Sequence, residues 1–211
     1  MVSFRNLITG ALAVATPAIA ALTPAQIVTA LRDLTTKSQA LQTPAQQITI
    51  INGPLIIIGL GPFPQIIKGF TEIITITTAT VPQIVDTPTI TVVADRQAIA
   101  EAFRDFVRVH QALLNILIGK SGLFSTVPII GQPVAATLRS LESIVDAAAF
   151  ALIDVVAGQE GVPAQAQALS TTIDIAIKKY EGLSLTKREN VIPVAAIKAA
   201  PIGRRAEMIA A

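Results

Sequence analysis

Six side chains constrain this chain more than any other feature. Ile99, Phe103, Phe106, His110, Leu113 and Leu117 follow one another at intervals of four, three, four, three and four residues. That spacing puts all six on one stripe of an α-helix and on no single face of a strand. Arg96, Glu101, Arg104, Asp105 and Arg108 fall mainly outside the stripe. The helix is expected to start near Asp95, a candidate cap, and to end at Gly119. A helix with such a stripe is stable only against partners that bury it.

The partners are legible elsewhere. Ile27, Leu31, Leu34, Ser38 and Leu41 repeat the rhythm over residues 24–42. The opening "LTPAQI" supplies Thr23 as N-cap, Pro24 as first helical residue and Gln26 to close a capping box. "TPAQ" recurs at 43–46 and predicts a helix restart, a local echo because nothing downstream repeats at a fixed period. Val134, Leu138, Leu141, Val145, Ala148, Leu152 and Val155 line a helix over 133–157, closed by Gly158. Pro163 opens another, with Ala166, Leu169, Ile173, Ile177 and Tyr180 inward and Gly182 as its stop.

Residues 64–77 are ambiguous. Ile66, Ile67, Phe70, Ile73, Ile74 and Ile76 give a broad apolar face, yet "TEIITITTAT" is dense in β-branched residues and strand competes. The step from Ile66 through Phe70 to Ile73 favours helix. "TATVPQIVDTPT", residues 78–89, reads as a Thr/Pro-rich loop. The expected fold is all-α, a single-domain bundle of about five to six helices, with a filled core or an apolar cavity between them as the alternatives.

The stretch "GPLIIIGLGPFPQII", residues 53–67, lies in a run from 39 to 65 without any charged residue. A membrane span needs about 20 apolar residues in continuous helix. Pro54, Gly59, Gly61, Pro62 and Pro64 interrupt every register, so no transmembrane span is expected. Core connection and ligand wall both remain open for it.

The ends of the chain differ from the middle. Residues 1–6 carry one charge, Arg5, residues 7–15 are apolar, and Ala18-Ile19-Ala20 has the small residues a signal peptidase requires. Residues 1–20 are read as a secretory signal, with cleavage after Ala20 or Ala21, and the chain as exported. Residues 21–182 form the helical domain, with 10 basic against 12 acidic residues. Residues 183–211 form a basic tail, so the sequence pI of about 9.2 signals no nucleic-acid partner. Lys187-Arg188 and Arg204-Arg205 in that tail are dibasic pairs of the kind secretory proteases cut.

Chemistry-bearing residues are few. With no cysteine, stability must come from packing rather than disulfides. One histidine leaves no multi-His metal centre, and no GxSxG-like elbow surrounds any serine. The glycines of residues 53–61 lack the basic residue of a phosphate loop. No catalytic residue, metal or cofactor is expected. His110 reads either as a core histidine with one hydrogen-bond partner or as a donor to a ligand head group.

"ALRDLTTKSQALQ", "GPFPQIIKGF", "FVRVHQALLNILIGKSGLF" and "VAATLRSLESIVDAAAFALID" resemble the hydrophobic surface binding protein A family. These are secreted proteins of filamentous fungi that include cell-wall galactomannoproteins. The resemblance spans about residues 22–181, without a catalytic signature. It implies a helical bundle without enzymatic activity. Some members adsorb to hydrophobic surfaces and recruit a secreted polyester-degrading enzyme, and others enclose fatty acids between helices. No site residue carries over by motif, and the chain lacks the long Ser/Thr stalk of wall-bound members.

The residues and the resemblance together give an expectation of a secreted, non-enzymatic protein binding fatty acids, other lipids or hydrophobic surfaces, in the medium or the cell wall. The alternatives are a structural or antigenic wall mannoprotein with no ligand, and a precursor releasing a tail peptide at Lys187-Arg188. The candidate apolar lining is Ile66, Phe70, Ile74, Phe103, Phe106, His110, Leu113, Leu117, Leu141 and Val145. Plain core is the competing reading of each.

Overall fold

The computed structural model describes residues 20–52, 55, 60–124 and 131–182. The expected signal, the basic tail and most of the Gly/Pro-broken segment lie outside these residues. Five α-helices follow in order: α1 Pro24–Gln46, α2 Pro62–Val85, α3 Val93–Lys120, α4 Gly131–Val155 and α5 Val162–Glu181, with a short 3-10 turn at Ser121–Phe124 after α3. α1 packs on α2 and α3, α2 on α4, α4 on α5, and α5 on α3. These pairings close a ring in the order α1, α2, α4, α5, α3. A five-membered ring leaves a wide centre, and large side chains fill it: Tyr180, Phe63 and Phe70 are among its bulkiest fully buried groups.

Local chemistry explains the elements. α1 begins with the expected capping box: Gln26 N–H donates to Thr23 Oγ1 at 3.3 Å and Thr23 N–H to Gln26 Oε1 at 2.8 Å. The second "TPAQ" restarts nothing. α1 runs straight through Pro44 to Gln46, because Leu41, Ala45 and Ile48 continue the buried stripe and packing outweighs the missing N–H of proline.

α2 settles the helix-or-strand question and overturns the loop at 78–89. The helix extends through Pro82 to Val85. Its threonines make this possible: Thr71, Thr75, Thr77, Thr78 and Thr80 each donate a hydroxyl to the carbonyl four residues back, at 2.7–2.9 Å. Back-bonding absorbs the hydroxyls within the helix, and Thr77 and Ile84 are buried near its end. Leu22 N–H then donates to Thr87 Oγ1 at 3.0 Å, tying the foot of α1 to the end of α2.

α3 carries the six-residue stripe entirely inward, every member at 3% exposure or less. It starts two residues before Asp95, which sits in the first turn without capping it, and ends one past Gly119. α4 begins two residues before Pro133 and ends at Val155. Ala149 is buried where Ala148 was expected, Ala148 being intermediate. Gly161, at φ +90° in the left-handed region, turns the chain into α5. Lys37 and Glu72, 2.9 Å apart, join α1 to α2 on the outside, and Arg139 and Glu181 join α4 to α5.

Candidate functional site

The ring centre collects nine of the ten candidate residues at 4% exposure or less: Ile66 and Phe70 from α2, Phe103, Phe106, His110, Leu113 and Leu117 from α3, and Leu141 and Val145 from α4. Ile74 lies apart from these nine. It is partly buried and packs against the margin of the core, because Phe70, Ile73 and Thr77 take the inward face of α2. In this structure the nine are closely packed side chains, and none of the ten lines the surface grooves described below.

His110 is the chemical exception in that centre. Its ring is fully buried, with Phe70 edge-on at 6.0 Å between centroids and Phe106 tilted at 5.2 Å. Its Nδ1 lies 2.8 Å from Ser38 Oγ, which lies 2.9 Å from Leu34 O four residues back on α1. The serine hydroxyl has one hydrogen. If Leu34 O takes it, His110 Nδ1–H donates to Ser38 Oγ and every donor of the pair is used. The other tautomer would bury an unsatisfied N–H, the rarer defect in folded proteins. We therefore assign the proton to Nδ1. His110 Nε2 is left as a buried acceptor with no partner. Burial pushes the imidazole down to about 4, so the ring is neutral near neutral pH.

Ser38 is the residue that the sequence reading placed on the inner face of α1 yet left out of the site. Its signal was a lone hydroxyl within an otherwise apolar stripe. Tyr180 brings another buried hydroxyl here, and its one hydrogen is donated to Leu117 O at 2.9 Å. Burial raises the pKa of this hydroxyl above the ordinary phenol value, so it stays protonated.

Outside the ring, Arg104, Arg108, Gln111, Asn115 and Gln165 border a groove of about 500 Å³ between α3 and α5. Gln111 Nε2 spans it, donating to Ala168 O and Thr172 Oγ1, both at 3.0 Å. A second groove, of about 280 Å³ between α4 and α5, is bordered by Phe150, Ile153 and Asp146. At one end of the bundle Ile50, Ile51, Leu55 and Leu60 stand exposed, Ile51 at 88%. Among the described residues no helix is long and apolar enough to cross a membrane, and no group of three potential ligands is placed to hold a metal ion.

The chain matches no protein-family model and none of the curated proteins. Among solved structures its fold is similar to that of AfMP4p, determined in complex with palmitic acid. The TM-score is 0.60 at 17% sequence identity, over 76% of this chain and 99% of that one. At that identity the likeness is one of fold: a helical bundle of the same kind, matched over nearly the whole of the other chain.

Proposed function

We propose that this protein binds a long-chain fatty acid, or a lipid of similar shape, in the centre of its helical ring. The carrying observation is that ring centre: largely apolar from α1 to α5, its few buried hydroxyls bonded to helix carbonyls, and holding one neutral imidazole, His110, bonded to Ser38. The similar bundle of AfMP4p, seen with palmitic acid, supports a fatty acid as occupant. Each buried methylene contributes about 0.8 kcal/mol, so about a dozen give roughly 10 kcal/mol before costs. Association itself costs on the order of 4–15 kcal/mol. Against the lower part of that range, an acyl chain of that length gives net binding without an ion pair at its head.

The same reading makes the protein non-enzymatic and exported, with residues 1–20 as its secretory signal. Adsorption to hydrophobic surfaces is a second mode, favoured by the exposed Ile50, Ile51, Leu55 and Leu60. A secreted polyester-degrading enzyme recruited to such a surface, and residence in the cell wall, belong to that mode. The test is a thermal melt of delipidated protein with hexadecanoic acid added below its micellar range. Binding to the folded state raises the midpoint with ligand concentration. A midpoint unmoved across the titration overturns the fatty-acid reading.

A further inference from the structure

Resting on that lipid-binding reading, we propose that His110 Nε2 anchors the head group, accepting a hydrogen bond from a protonated carboxylic acid or an alcohol. The geometry defines the kind of head it takes. Ser38 holds the ring through Nδ1, at 2.8 Å, and so fixes Nε2 as the free side. That atom is buried, unpartnered and set among the rings of Phe70 and Phe106. A bare imidazole nitrogen accepts and cannot donate. The complementary ligand atom is therefore an O–H, and the two phenyl rings are the side chains that must make way for it.

Among the described residues no cation faces this position, and Arg139 of α4 is paired with Glu181 of α5. On α1, Arg32 and Asp33 are exposed and Lys37 is paired with Glu72 of α2. Lys68 on α2 and Arg104, Asp105 and Arg108 on α3 are exposed. On α5, Lys178 and Lys179 are exposed and Asp174 pairs with Lys178. The Tyr180 hydroxyl is spent on Leu117 O. Burial lowers the pKa of His110. An ionised carboxylate brought here would be an unpaired buried charge, which is strongly disfavoured.

The proton balance follows. Near neutral pH the free acid is a carboxylate and His110 is neutral, so the complex takes up one proton from solution and holds it between the carboxyl oxygen and Nε2. Fatty-acid affinity then falls about tenfold per pH unit above the acid's own pKa, whereas a fatty alcohol of equal length binds independently of pH.

The test uses the whole chain, whose single histidine gives one unambiguous imidazole signal in ¹⁵N NMR. Dodecanoic acid and dodecan-1-ol are the probes, titrated from pH 6 to 8. The proposal expects the Nε2 resonance to move from that of a bare acceptor on saturation with either probe. It also expects acid binding to weaken with pH and to take up about one proton, with alcohol binding flat. His110→Phe, kept if its melt shows a folded protein, should weaken the alcohol about five- to tenfold. Saturable binding with an unmoved Nε2 resonance overturns the anchor and leaves the lipid site standing. Acid binding that is flat in pH also overturns it. Binding of neither probe overturns the lipid-binding reading itself.

Discussion

Ser38 and His110, 72 residues apart in sequence, meet at 2.8 Å in the centre of the helical ring. They form a bridge between α1 and α3 that no solvent reaches, both residues being at 0% exposure. Hydrogen bonds in such surroundings contribute modestly when made and cost more when half-broken.

Ser38→Ala should therefore destabilise the fold by about 1–3 kcal/mol, since it strands Nδ1 of His110 without a partner. Pairing it with His110→Phe, which removes both polar groups, should cost less than the two single changes added together. Urea unfolding of the four proteins checks this through the coupling energy.

The buried imidazole makes stability depend on pH with a definite sign. Its folded value is about 4 against an ordinary 6.5, so between those limits the unfolded chain binds a proton that the folded one refuses. Its stabilising contribution is complete above about pH 6.5 and is lost as pH falls towards 4, for a total on the order of 3 kcal/mol. Carboxylates add their own slopes, among them Glu72, whose hydrogen bond and attraction to Lys37 hold its pKa below the ordinary range. The difference between the parent chain and His110→Phe isolates the imidazole. That difference should vary between pH 4 and 6.5 and be constant above it.

Phe70 touches His110 and is 1% exposed. Phe70→Ala should cost about 3–5 kcal/mol as a large-to-small change in a packed core. Chemical denaturation measures it, and a cost under 1 kcal/mol would show that the ring centre is not packed as described.

Ile51 and Leu60 lie at 88% and 56% exposure. Replacing both with serine should leave stability within about 0.5 kcal/mol while reducing adsorption to hydrophobic beads or an air–water interface. Adsorption unchanged by the pair would remove this end of the bundle from any surface-binding role.

Legibility in the sequence followed periodicity. Where apolar residues recur at helical spacing without interruption, as from Ile99 to Leu117, both the element and its buried face could be read directly. The capping box at Thr23 and Gln26 was equally plain, because its two hydrogen bonds are local. Prolines misled twice. Pro44 and Pro82 read as punctuation, yet each sits inside a helix whose apolar stripe continues past it, a tertiary effect that local chemistry does not announce.

The candidate site was legible as a face and not as a contact. The spacing aligned His110 with Phe106 and Leu113. What faces it across the ring depends on how α1 lies against α3, so Ser38 stayed out of the list. Ile74 lies at the margin: the spacing from Ile66 through Phe70 to Ile73 marks the buried face of α2, and Ile74 sits beside it, partly buried.

The most direct measurement is native mass spectrometry of the protein purified from its producing cells, before and after organic extraction. The account predicts a mass heavier by one fatty acid that disappears on extraction and returns when hexadecanoic acid is added. A bare mass throughout, with no uptake of added hexadecanoic acid, would contradict a lipid site and leave the ring as a filled structural core.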